Sequence, residues 1–248
     1  MERVFKKEPR DWWNTVALGL LPVIVFFMIL MNACSSGSPG VANTNKAVTP
    51  PPASSVRTTE ESVPTSLSNA SEYGENIYDY AKANDWKNAD LKGASLKDAI
   101  KKVRTEVKNQ SAAVDRLDTT VAALDRAVTA KDRQATMREA NKMTFDVANM
   151  TSAYKMSVPV EVTKLDYYGR ELEVWAQEQD VTKLQATARE LRHTWDSLRP
   201  TIAAKSAVEA KKFDSLVARV ESAKTPADYA RVATPVLNEV DNLEKLFQ

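Results

Sequence analysis

His193 is the only histidine in the chain, and four methionines precede it at Met137, Met143, Met150 and Met156. A histidine nitrogen facing a methionine sulfur across a helical bundle is a pair that holds haem iron. The local sequence favours a plainer role. Arg192 sits beside the histidine and the apolar Trp195 lies two residues on, which places His193 at the flank of a helix, open to solvent. The Cys-x-x-Cys-His pattern of covalent haem attachment does not occur. Neither Cys/His metal spacing nor a glycine-rich phosphate loop occurs. No cofactor, no metal site and no catalytic residue is therefore expected.

Two Tyr-Gly pairs carry more information. Tyr73-Gly74 is followed by Tyr80, and Tyr168-Gly169 by Trp175, with Tyr167 beside the second pair. Aromatics at helical spacing belong first to a core, with each glycine admitting a neighbouring helix closely. A second reading gathers Tyr73, Gly74, Tyr80, Tyr167, Tyr168, Gly169 and Trp175 around a groove between two copies of a repeated unit, which takes an apolar or peptide ligand. Carboxylates such as Glu171, Glu173 and Glu178 are plentiful, but nothing in the sequence isolates a general acid from a general base. Residues 70–248 hold 28 Lys plus Arg against 28 Asp plus Glu, so no basic face marks a nucleic-acid partner.

These residues need helices to position them. Between Pro64 and Pro159 there is no proline, and from residue 70 onward only Gly74, Gly93 and Gly169 occur as glycine. Val114, Leu117, Val121, Leu124 and Val128 step by three and four, as do Leu191, Trp195, Leu198 and Ile202. Met143, Val147, Met150 and Tyr154 form a third stripe, and Val232, Val236, Val240, Leu243 and Phe247 a fourth. Each stripe is one face of an amphipathic helix. Alternation with period two is absent, so the body is expected to be all-α.

The body reads as an internally duplicated helical bundle, two copies of about four helices each. Tyr73-Gly74-x-x-Ile77-x-x-Tyr80-Ala81-x-x-x-Asp85 recurs 95 residues on as Tyr168-Gly169-x-x-Leu172-x-x-Trp175-Ala176-x-x-x-Asp180. The same offset pairs Leu96 with Leu191, Ile100 with Trp195, Val103 with Leu198 and Val107 with Ile202. A four-residue insertion then aligns Asp115, Leu117 and Val121 with Asp214, Leu216 and Val220, and a three-residue deletion brings Asp132 to Asp228. Repeat 1 spans 70–157, with helices over 71–83, 86–108, 111–130 and 132–156. Repeat 2 spans 158–248, with helices over 161–178, 181–199, 201–223 and 226–247. Asp85, Asp132 and Asp180 are expected N-caps, and Pro226 fits a first helical turn.

The amino-terminal part is a different material. Arg3, Lys6, Lys7 and Arg10 precede the apolar run Val16–Met31, which ends at Asn32-Ala33-Cys34, the only cysteine. Ser-Ser-Gly-Ser-Pro-Gly follows. A basic start, an apolar core and a small residue before the cut are the parts of an export signal. The stretch Met31-Asn32-Ala33-Cys34 resembles the lipobox of bacterial lipoproteins. That resemblance implies a signal peptide over 1–33, cleavage between Ala33 and Cys34, and lipid on Cys34. An uncleaved signal anchor is the alternative, although the 16 apolar residues fall short of the ~20 that cross a hydrocarbon core. Beyond the cysteine, residues 34–69 carry five prolines, many Ser and Thr, no aromatic residue and four charges. They are expected to form a disordered tether holding the body roughly 30 Å from the membrane.

The expected function is that of a lipid-anchored cell-envelope protein whose helical bundle is a protein-interaction or scaffolding module. It would sit on the outer side of the cytoplasmic membrane or on the outer membrane. Its partners would be the membrane, through lipid on Cys34, and another envelope protein; no nucleic acid and no enzyme activity is expected. The alternative is a small-ligand carrier holding haem, metal or an apolar molecule between helices.

Overall fold

A computed structural model describes residues 62–248. The expected signal peptide, Ala33, Cys34 and most of the tether lie outside the described residues. Among the described residues eight helices follow one another: α1 Thr65–Lys82, α2 Trp86–Glu106, α3 Ser111–Thr129, α4 Arg133–Thr151, α5 Val160–Gln177, α6 Val181–Lys205, α7 Ala207–Ser222 and α8 Pro226–Lys245. Among the described residues there is no β-strand, only an isolated bridge from Ser62 to Lys155. No helix among them is long and apolar enough to cross a membrane.

Two closed sets of four account for the packing. Helix α1 lies against α2 and α4, and α3 closes the ring between them; α5 lies against α6 and α8, with α7 closing the second ring. Contact between α4 and α5 joins the sets. Leu67, Ile77, Leu96, Leu117, Leu124 and Met143 fill the first core, and Leu165, Leu172, Leu191, Trp195, Phe213 and Val236 the second. Trp195 and Phe213 meet with ring centroids 4.5 Å apart. The indole N–H of Trp195 donates to Asp214 at 2.8 Å, so this large ring is buried without an orphaned donor.

Three inter-helix joints share one construction. Asn84, Lys131 and Gln179 take positive φ values of 56°, 53° and 59°. The amide after each reaches back to a carbonyl five residues earlier: Asp85 to Tyr80, Asp132 to Ala127 and Asp180 to Trp175. That bond, with the shorter one from the left-handed residue, is the Schellman stop. The same aspartate then caps the next helix, accepting from Asn88, Ala135 or Lys183. One residue thus ends one helix and starts another, which keeps the turn short and the helices antiparallel. The α7–α8 joint instead uses a capping box in which Thr225 and Asp228 each bond the other's backbone.

The structure moves several expected boundaries. Helix α1 begins at Thr65, not near residue 71, so 65–69 leave the tether. Leu67 is fully buried and Ser66 donates to Glu106 at 2.5 Å, a tertiary anchorage that composition does not reveal. Helix α4 ends at Thr151, short of the expected 156. Helix α6 runs through Pro200 to Lys205, where a break at residue 200 was expected. Pro200 is exposed, so the carbonyl that its missing N–H leaves free, on exposed Asp196, faces solvent. Ser206, not Pro200, then caps α7 by accepting from Glu209.

The register of the two later helices also differs from the sequence alignment. Leu216 is only half-buried, whereas Phe213 is fully buried in the place Leu117 takes in the first set. Two ion pairs give the correspondence: Arg104–Asp118 stands to α2 and α3 as Arg199–Asp214 does to α6 and α7, and Lys97–Asp125 matches Arg192–Glu221. Asp118 and Asp214 thus take like places in the two sets, where the sequence alignment pairs Asp115 with Asp214. Asp132 is an N-cap, but Asp228 lies three residues inside its helix, where Thr225 is the cap. The aspartates therefore do not occupy equivalent places.

Candidate functional site

Polar and aromatic side chains join the two helical sets. Arg170, fully buried on α5, donates to Asp166 at 2.8 Å and to Asp79 on α1 at 3.4 Å. Its guanidinium lies 4.7 Å from the centre of the Tyr78 ring. Burial works against the Arg170 charge, but Asp166 and Asp79 more than offset it and hold the group protonated. Tyr78 donates to Glu173 at 2.8 Å, and Lys82 is ion-paired with the same carboxylate. Burial, then the neighbouring Glu173, pushes the Tyr78 phenol well up, so it stays a donor.

Beside this contact a cleft of about 320 Å³ opens between α4 and α5. Arg138, Glu139, Asn141 and Lys142 line it from α4; Tyr167, Glu171, Val174 and Trp175 line it from α5. Tyr167 stacks on Phe145 at 4.3 Å and meets Tyr168 edge-on at 5.2 Å, so its ring is fixed by its neighbours. Its hydroxyl donates to Glu171 at 2.7 Å, and Thr187 donates to the other oxygen of that carboxylate at 2.8 Å. Burial and the Glu171 charge push the Tyr167 phenol up, which keeps it neutral and donating. Lys183 rests 3.9 Å from the Trp175 ring centre. Arg138 is drawn to Glu139 and Glu178, and Lys142 donates to Thr120.

Asn141 is the least satisfied group in this wall. Its amide nitrogen donates to the Tyr167 carbonyl at 3.0 Å, while Oδ1 is buried with no hydrogen-bond partner among the described residues. A buried acceptor left without a donor is costly. The walls therefore offer an aromatic face and flanking charges of both signs, with the Asn141 acceptor buried beneath them. They suit an apolar or aromatic group carried next to polar ones, as in a peptide.

Of the residues singled out in the sequence, Tyr167, Glu171 and Trp175 line this cleft. Tyr168 is buried one layer behind, hydrogen-bonded to Thr194. Tyr73 is half-buried on α1 under Lys92 and faces α2. Tyr80 is half-buried and outside the cleft. Gly74 and Gly169 are helix-crossing positions: an added Cβ would lie 2.0 Å from Met143 on α4 and 2.7 Å from Leu237 on α8 respectively. His193 is exposed on α6, whereas Met137, Met143 and Met150 are buried within the first set. Asn141, Arg138 and Lys142 were not singled out. Asn141 had a signal, since it interrupts the stripe Met137, Ala140, Thr144 and Ala148 with an amide.

Among the described residues no group of three or more His, Cys, Asp or Glu side chains is placed to hold a metal ion. The class that the described residues define is an all-helical body of two packed four-helix sets. Comparison with known protein families, with curated proteins and with solved structures returns no match.

Proposed function

We propose that this is a lipid-anchored cell-envelope protein, held through Cys34, whose two helical sets are copies of one unit and together form a protein-interaction or scaffolding module. The matched ion pairs, the matched Schellman joints at Asn84 and Gln179 and the shared ring order support the duplication. The observation that carries the binding role is the cleft between α4 and α5. It lies where α4 and α5 meet and presents the Tyr167 and Trp175 rings beside charges of both signs. A helix or extended segment of an envelope partner, setting an apolar side chain against Trp175, would cover it.

A photo-crosslinking residue in place of Trp175 tests the reading in intact cells. One discrete adduct with an envelope protein is expected, and none from the same residue at exposed Leu91 on α2. Equal adducts from both places, or none from 175, would refute it. The carrier alternative is favoured only by the cleft volume, about 320 Å³, at the small end for organic ligands. It requires a bound mass in native mass spectra that Trp175→Ala abolishes.

A further inference from the structure

A second cleft lies away from the junction, among α6, α7 and α8. It encloses about 410 Å³, and Arg189, Arg192, His193 and Lys224 are among its walls. Two carboxylates, Asp196 and Glu221, also border it, but both are taken up by Arg192. That guanidinium donates twice to Glu221 at 3.0 Å and once to Asp196 at 3.2 Å. Arg189 and Lys224 are left without an ion-pair partner among the described residues.

Tyr229 supplies a second, independent sign. It lines the cleft from α8, and its side chain is 3 % exposed, yet its hydroxyl has no hydrogen-bond partner among the described residues. Burial raises its pKa, the Arg189 charge pulls the other way and the Asp228 carboxylate adds to the rise, so the phenol remains a proton donor near that guanidinium. A hydroxyl that opens into a cleft beside two unpaired cations is an arrangement that an oxyanion satisfies.

The first set provides a control within the same molecule. A smaller cleft of about 150 Å³ occupies the corresponding place between α2 and α3, with the Lys97–Asp125 pair where the second set has Arg192–Glu221. At the positions of Gln185, Arg189 and His193, 95 residues earlier, stand Asp90, Ala94 and Asp98. The same scaffold is thus acidic in one set and basic in the other. Mere solubility does not require that difference.

We infer that the cleft among α6, α7 and α8 binds an oxyanion, a phosphate or carboxylate group of a ligand, through Arg189, Lys224 and the Tyr229 hydroxyl. The full-length protein in neutral detergent micelles is titrated with inorganic pyrophosphate while amide and side-chain NMR signals are followed. Saturable shifts are expected at residues 189, 193, 224 and 229, with little change around Lys97. Arg189 and Lys224 are exposed, so Arg189→Ala/Lys224→Ala should fold normally and bind about tenfold or more weakly, and Tyr229→Phe several-fold more weakly. Phosphatidylglycerol added to the micelles in place of pyrophosphate separates a lipid headgroup from a soluble anion as the source; saturable binding of either supports the site. Non-saturable shifts spread over all basic residues, or unchanged affinity in the double variant, would overturn it.

Discussion

Gly74 shows how one missing methyl group sets a helix spacing. Its Cα faces α4, where a Cβ would come within 2.0 Å of the Met143 methyl and 2.9 Å of Thr144. Met143 is fully buried, so it has nowhere to move without disturbing the first core. Overpacking costs about 1–3 kcal/mol, against a helix-propensity gain of about 1 kcal/mol for alanine. Gly74→Ala is therefore expected to lose roughly 1 kcal/mol in urea unfolding. Gly169→Ala should be milder, since Leu237 is half-buried and free to swing aside. Gly93→Ala meets nothing within 4 Å and should gain about 0.5–1 kcal/mol. Equal effects at all three would contradict the packing argument. The paired Tyr-Gly motif was legible in the sequence, but its partners were not. Helical spacing says which residues share a face and is silent on which helix that face meets. That is why Tyr73, Tyr80, Tyr168 and Trp175 looked like one group and are spread over different surroundings.

At the scale of elements, joints and caps hold the order of the helices. Gln179 carries a positive φ, which costs a side chain with a Cβ about 1–2 kcal/mol, while Asn84 tolerates it better. Gln179→Gly is expected to raise stability by about 1 kcal/mol and Asn84→Gly by less, read from thermal midpoints. A loss at residue 179 would mean that its side chain, which donates to Ala176, matters more than its backbone. The α7–α8 contact adds a pH dependence. Burial, then the Glu209 carboxyl beside it, raises the pKa of Glu239, while Glu209 is lowered by its bond to Glu239 and by Lys212. A raised folded pKa contributes stability below the ordinary carboxylate value of about 4.3, and that contribution is lost as pH rises through the folded value. Glu239→Gln should gain on the wild type as pH is raised from about 4 to about 7, and a constant difference across that range would rule the coupling out. Helix count and the three aspartate caps were legible, because periodicity and capping chemistry are local. The register of the third helices was not. A slip of three or four residues keeps an apolar stripe on one face, so Leu216 and Phe213 look equally fit for the core. Only the ion pairs across α2–α3 and α6–α7 break that degeneracy, and they form between elements.

The whole molecule divides its work by material. Residues 62–248 pack as two four-helix rings with a polar, aromatic seam, and the seam holds the α4–α5 cleft. The body has balanced charge, and no helix among its described residues is long and apolar enough to cross a membrane. The lone cysteine after an apolar run is the sequence feature on which the proposed anchorage rests. An interaction module works only where its partner is, so anchorage at Cys34 underlies the proposed role. Two or more acyl chains hold a protein firmly at a bilayer, whereas one does so marginally. Metabolic labelling with a radioactive or clickable fatty acid is the most direct measurement. Label is expected in a membrane-bound species lacking residues 1–33, and Cys34→Ala should carry none and retain its full length. Equal labelling of the two proteins, or an unlabelled wild type that keeps its amino-terminal segment, would contradict lipid anchorage and favour an uncleaved signal anchor.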